Sequence, residues 1–293
     1  MRATLIVNPH SGCGAAGRVA GAVTDTLRAA VPGLEATVTD DAAGTSRLAA
    51  LAAQRGDEVL AVLGGDGTAH LAAQAVAGTD TALAVLPGGS GNDLAAALGI
   101  PTDPVNAARH IAEVLRSGQR RRIDLGRVEG GSCFGTVLCT GFDAAVNARA
   151  NAMRWPSGPR RYDLAVLAEL AALTPRRVRV NAGNSEVTLE ATLVAIGNGP
   201  SYGGGLRICP EAKLDDGELD VIVIAAVSRR RLLRVFPRLR AGGHIDEPEV
   251  TLLRGQRVHI DSDHGWPVYA DGEPQGTLPV TVHCERAALT VVA

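Results

Sequence analysis

Val59-Leu60-Ala61-Val62-Leu63-Gly64-Gly65-Asp66-Gly67-Thr68 is an apolar run that breaks into a glycine turn, and an alanine-rich stretch follows it. The run predicts a buried strand and Ala69–Ala77 a helix. Strand, glycine turn and helix aim backbone N–H groups and the positive end of a helix at phosphate. Glycine also lets the main chain approach a ligand closely. Asp66 adds a carboxylate to this anion-binding turn. That points to a cation, most simply Mg²⁺ carried on a nucleotide. A second turn repeats the scheme, with Leu83-Ala84-Val85-Leu86 before Pro87-Gly88-Gly89-Ser90-Gly91-Asn92-Asp93-Leu94. Neither turn ends in G-K-[ST] and neither holds G-x-G-x-x-G, so neither is a Walker A loop or a dinucleotide fingerprint. One such turn alone is an ordinary strand-to-helix connection. Two in succession, each with an Asp, argue for phosphate binding.

The surrounding sequence keeps this rhythm up to Arg120. Strands are predicted at Ala3–Val7, Glu35–Val38, Val59–Leu63 and Ala82–Leu86. Helices are predicted at Ala15–Ala30, Thr45–Gln54 and Ala69–Ala77, and from Asn92 and Pro104. Short apolar strands alternating with helices predict an α/β domain, a parallel sheet covered on both faces. Ligands of such sheets bind at the carboxyl ends of the strands. Asn8-Pro9-His10-Ser11-Gly12 closes the first strand at that same edge. It reads either as a plain β-turn or as a third nucleotide-binding turn.

Beyond Arg120 strands dominate: Ile123–Val128, Thr136–Thr140, Arg177–Asn181, Val187–Ile196, Leu219–Ile224, Arg257–Ile260, Val280–His283 and Leu289–Val292. Only Tyr162–Leu173 and Arg229–Arg240 read as helices there. This half is expected to be a mostly antiparallel β domain. The expected division is 1–122 and 123–293, with the last strand open to returning to the first domain.

Composition narrows the classes. The chain has 293 residues, 46% of them hydrophobic, enough for two cores. A net charge of −2 gives no argument for binding nucleic acid. The five cysteines form no C-x-x-C pair, which predicts a reducing compartment and neither a zinc site nor a disulfide framework. The first residues lead straight into a strand, so no signal peptide is expected. No apolar run nears the roughly 20 residues of a spanning helix. The expectation is a cytoplasmic protein, with any membrane contact peripheral. The residues leave the oligomeric state, a homodimer included, open.

Three later stretches each carry two readings. Asp215, Asp216, Glu218 and Asp220 form either a solvated acidic turn or a cation site. Tyr269-Ala270-Asp271-Gly272-Glu273-Pro274 is either an Asp-Gly hairpin turn or the seat of a carboxylate general base. Arg229–Arg240 is an amphipathic basic helix, with either a solvated face or a face for anionic lipid.

Taken in order, these motifs resemble the diacylglycerol kinase catalytic-domain family. The resemblance runs from Val7–Gly12 through Gly64–Thr68, Pro87–Leu94, Ile123-Asp124-Leu125-Gly126 and Gly141–Val146. It continues through Asn198–Val221 to Asp271-Gly272-Glu273, nearly the whole chain. It implies an NAD kinase-like α/β nucleotide domain, a C-terminal β-sandwich, and transfer of a phosphoryl group from ATP to a lipid or lipid-like alcohol. It implies ATP held by Asn8, Pro9, Ser11, Gly12, Thr39, Gly64, Gly65, Asp66, Gly67, Thr68, Ser90 and Asn92. Asp66, Asp93 and Asp124 are implied near a catalytic Mg²⁺, and Lys213, Asp216 and Glu218 at a structural one. Asp271 is implied as the base, with Glu273 beside it. The chain departs from the family at His70, Leu71 and Ala96, carries Glu218 where an apolar residue is usual, and keeps a hydroxyl at Ser90 where Thr is usual. The rival readings are an NAD kinase-like enzyme and a nucleotide- or lipid-binding regulator without turnover.

Overall fold

The computed structural model describes residues 1–153, 155, 160–172 and 174–293. The chain forms two compact units. The first is Met1–Leu125 with Gly203–Gly205 and Glu285–Ala293, and the second is Gly126–Tyr202 with Leu206–Cys284.

The first unit alternates strand and helix: β1 Ala3–Val7, α1 Ser11–Arg28, β2 Leu34–Val38, α2 Ala42–Gln54, β3 Val59–Gly64, α3 Asp66–Val76, β4 Ala82–Pro87, α4 Asp93–Ala97, α5 Pro104–Ser117 and β5 Arg121–Val128. The parallel order is β2-β1-β3-β4. Every residue of β1, β3 and β4 is buried. This is why those strands read as unbroken apolar runs. β2, on the outside of this order, exposes four of its five residues. α1 packs beside α5, and α2 beside α3. The backbone of Gly12, Cys13 and Gly14 is left-handed, so regular α1 helix begins at Ala15, where the sequence predicts it. The last residues join this sheet: Val291 pairs in parallel with Leu83, and the Val292 N–H donates to the Leu83 carbonyl at 2.9 Å.

The second unit holds β6 Cys133–Phe134, β7 Val137–Gly141, α6 Phe142–Ala152, α7 Arg160–Ala171, β8 Arg176–Ala182, β9 Ser185–Gly197, β10 Leu219–Ala225, α8 Arg229–Leu239, β11 Val250–Gly255, β12 Arg257–Ser262, β13 Pro267–Ala270, β14 Glu273–Thr277 and β15 Val280–Val291. Its pairings are antiparallel; of β15 only the residues up to Cys284 belong to it, and those from Glu285 on belong to the first unit. β9 is central: its first half pairs β8, and its second half pairs β7 on one edge and β10 on the other. One core lies among β7, β8, β9, β10, β12 and β13, with Phe134 and Trp266. A second lies where α6, α7 and α8 cover β7, β9 and β10.

Four sequence expectations change here, the first being that β6, β13 and β14 are strands beyond those expected. α6 is a third helix in this half. Its buried residues are Phe142, Asp143, Ala144, Val146 and Ala150, an acid and two alanines among them, so no clear apolar stripe stands out. The expected strands Val280–His283 and Leu289–Val292 are one strand, β15, interrupted by Ala287 at φ 50°. β11 adds a strand at Val250–Gly255 that pairs with β10. The expected helix end at Leu173 lies outside the described residues.

Candidate active site

β1, β3 and β4 are parallel and in register, with Val7 opposite Leu63 and Leu63 opposite Leu86. Their three turns therefore leave the sheet together, and they interlock. The Gly65 N–H donates to Ser11 Oγ at 3.2 Å, and Asn8 Nδ2 donates to Thr68 Oγ1 at 3.3 Å. The Gly88 N–H donates to the Gly64 carbonyl at 2.7 Å. Gly12 has φ +60°, and a Cβ there would lie 2.6 Å from the Gly88 carbonyl oxygen. Only glycine permits that approach. Thr39, at the end of β2, donates its N–H to the Val7 carbonyl at 2.9 Å. Pro9 packs against Gly17, Gly67 is half-buried and Ser90 is exposed.

Asp66 joins two of these turns. Its carboxylate accepts the Asn92 N–H at 2.8 Å and the Asp93 N–H at 2.6 Å. Gly91 makes room for it, since a Cβ there would sit 2.3 Å from Asp66 Oδ2. Asn92 adopts the left-handed conformation at φ 62°, and its side-chain amide bonds both the N–H and the carbonyl of Gly89. Asn is among the few residues that take this conformation at small cost. Asp66 also opens α3, where a negative charge complements the helix dipole.

The other two predicted acids of this unit are buried and anchored. Asp93 accepts the N–H groups of Gly204 and Gly205, each at 3.0 Å. Asp124 accepts the Ala287 N–H at 2.6 Å. Among the described residues no group of three or more His, Cys, Asp and Glu side chains is gathered tightly enough to cage a metal ion. Mg²⁺ requires no such cage: one or two carboxylates with substrate phosphates and water suffice. Asp66 fits that pattern.

In the second unit, β13 and β14 are joined by Asp271 and Gly272 at φ 49° and 84°, the positive values of a two-residue hairpin turn. The turn leads the Asp271 carboxylate onto one dipeptide. It accepts the Gly135 N–H at 2.8 Å, the Thr136 N–H at 3.0 Å and Thr136 Oγ1 at 2.5 Å. Glu273 is exposed. The acidic turn is organised by Arg254, whose guanidinium pairs with Asp216, with Glu218 at 3.2 Å and with Asp220 at 3.0 Å. The positive charge facing these carboxylates thus comes from the chain itself. Lys213 is exposed.

Sequence reasoning missed the supports of these groups. Asn198 is fully buried; its Nδ2 donates to the Gly135 carbonyl at 2.9 Å, and its N–H and that of Gly199 donate to the Thr136 carbonyl. Asn198 thereby holds the dipeptide that holds Asp271. Gly204 and Gly205 do the same for Asp93. The signal that could have found them is glycine: Gly197 and Gly199 flank Asn198, and Gly203, Gly204 and Gly205 run together. The buried pair Asp143–Tyr202, in which the phenol donates to the carboxylate, left no sequence signal.

Residues 2–128 match the diacylglycerol kinase catalytic domain, and residues 136–293 match the YegS C-terminal NAD kinase beta sandwich-like domain. A diacylglycerol kinase of Mycobacterium tuberculosis is 42% identical over 99% of this chain and 94% of its own. A Bacillus subtilis diacylglycerol kinase is 27% identical over 62% of this chain and 59% of its own. A crystal structure of a Bacillus anthracis diacylglycerol kinase superposes with a TM-score of 0.76, covering 99% of this chain and 96% of that one, at 21% identity. That likeness shows the shared fold: an α/β unit of parallel strands and an antiparallel β-sandwich. The chain is an enzyme, a phosphotransferase with an alcohol as acceptor. It belongs to the diacylglycerol kinase family of lipid kinases. No helix among the described residues is long and apolar enough to cross a membrane.

Proposed function

We propose that the chain transfers the γ-phosphoryl group of Mg²⁺-bound ATP to a hydroxyl of diacylglycerol or a related lipid alcohol. The observation that carries this reading is the interlock of three glycine turns around Asp66. The backbone N–H groups of Gly67 and Thr68 at the start of α3, with that of Ser90, hold phosphate oxygens, and the Asn8–Gly12 turn and Thr39 complete the nucleotide site. Mg²⁺, when bound, spreads the charge that builds on the phosphates. Asp66 would hold the ion, and Asp93 and Asp124 would support it from the same unit. Asp271 takes the proton of the acceptor hydroxyl as its oxygen bonds to the γ-phosphorus and ADP leaves. Catalysis of this kind is chiefly positioning and electrostatics.

The test offers the purified chain γ-labelled ATP with a total lipid extract, and separately NAD. Label is expected in one phosphorylated lipid class and not in NADP. Asp271→Asn should lose about 100- to 10,000-fold in kcat, the range of a general base, while nucleotide affinity stays within about twofold. Labelled NADP without labelled lipid, or near-full turnover in Asp271→Asn, rejects the reading.

A further inference from the structure

α8 divides its side chains three ways. Leu232 and Leu239 point inward into the core that α6 and α7 also cover, and Val235 lines a small cavity with Leu232, Ile224 and Val250; none of the three is more than 5% exposed. Arg231 and Arg238 lean sideways and are taken up by Glu247, with Glu249 as a second partner of Arg231. Arg229 donates to the Ala171 carbonyl at the end of α7. Opposite the inward stripe, at helical spacing, lie Arg230, Leu233, Arg234 and Pro237, all exposed. No ion pair among the described residues uses Arg230 or Arg234.

Leu233 therefore stands 56% exposed between two arginines. α7, over the same core, turns Leu164 and Leu167 outward at 44% and 60% exposure, and Trp155 precedes it at 82%. Among the described residues the second unit's other exposed large apolar side chain is Leu252, on β11, while the rest belong to α7, α8 and the segment before α7.

We infer that the outer face of α8, with the outward apolar side chains of α7, docks on the surface of an anionic lipid bilayer. Arginines are drawn to anionic headgroups, while leucine and tryptophan between them gain by entering the headgroup boundary. A duplex nucleic acid matches the arginines alone and leaves Leu164, Leu167 and Leu233 in water. The inference concerns surface binding alone and stands apart from the phosphoryl-transfer reading, because the test uses neither nucleotide nor acceptor.

The full chain is floated with vesicles of phosphatidylglycerol and phosphatidylcholine, and with phosphatidylcholine vesicles alone. It should partition onto the first and not the second, and half-molar salt should release it. Arg230→Ala with Arg234→Ala should lower the partition coefficient about 25-fold, roughly fivefold per arginine, with no change in melting temperature. Lysine at both positions should keep binding within about twofold, which separates lost charge from lost fold. The inference falls if the chain stays with the soluble fraction, if the double alanine variant floats like the parent, or if a duplex oligonucleotide strips the chain from the vesicles.

Discussion

Asp143 shows how one buried side chain marks the whole molecule's response to pH. It lies at the start of α6, and the Tyr202 hydroxyl donates to it. Burial pushes its carboxyl from the ordinary 3.8 up to about 6, against the opposing pull of the Tyr202 hydrogen bond. Burial, with Asp143 as neighbour, raises the Cys139 thiol as well. The unfolded chain releases this proton near 3.8 and the folded chain near 6. Between those values the folded state holds the extra proton, so this group's contribution falls as pH rises. Across the window the loss reaches about 3 kcal/mol. Asp143→Asn keeps an acceptor for Tyr202 and removes the titration. Urea unfolding at pH 4 and pH 7 should show the variant gaining on the parent at the higher pH; parallel midpoints at both would contradict this. The sequence places Asp143 in a motif but gives no hint of this role, because burial of a carboxylate depends on which distant residue covers it.

The turns are the elements on which the site rests, and they are close-fitted rather than loose. Gly91→Ala would bring a methyl group within 2.3 Å of Asp66 Oδ2. The carboxylate must then move, and a displacement near 1 Å costs about 100-fold in rate. Melting should report no more than about 3 kcal/mol, the usual limit for overpacking. Gly21→Ala makes the contrast: it sits in α1 with nothing within 4 Å of the added methyl. That variant should keep its rate and gain up to about 1 kcal/mol from helix propensity. Equal rate losses in both would sever Gly91 from Asp66. These turns were legible because glycine, Asn and Asp after an apolar run carry their own geometry. α6 and β11 were not. α6 buries an acid, Asp143, beside Phe142, Ala144, Val146 and Ala150, and β11 turns Leu252 outward. Neither shows a clean period of hydrophobicity.

At the scale of the molecule, legibility follows the kind of sheet. In the first unit β1, β3 and β4 are buried on both sides, so each shows as an apolar run that ends in a turn. In the sandwich, register and partner decide which face a residue takes, and pairings such as β9 with β7 and β10 join residues far apart in sequence. The nucleotide turns were therefore readable as a set. The amides that hold Asp93 and Asp271 come from distant loops and were not. The same distance shapes the first unit, which takes in Glu285–Ala293. Removing residues 285–293 strips Ala287 from the buried Asp124 and the Val292 N–H from Leu83. A chain ending at Cys284 should lose cooperative melting of the first unit and precipitate more readily. An unchanged melt would show these contacts to be dispensable.

The order of synthesis gives that last strand a further meaning. A ribosome that has delivered the whole of β1 to β4 still owes this sheet the second neighbour of Leu83, and supplies it only after the sandwich has been synthesised. The nascent first unit must wait, unfinished, through all of the intervening translation.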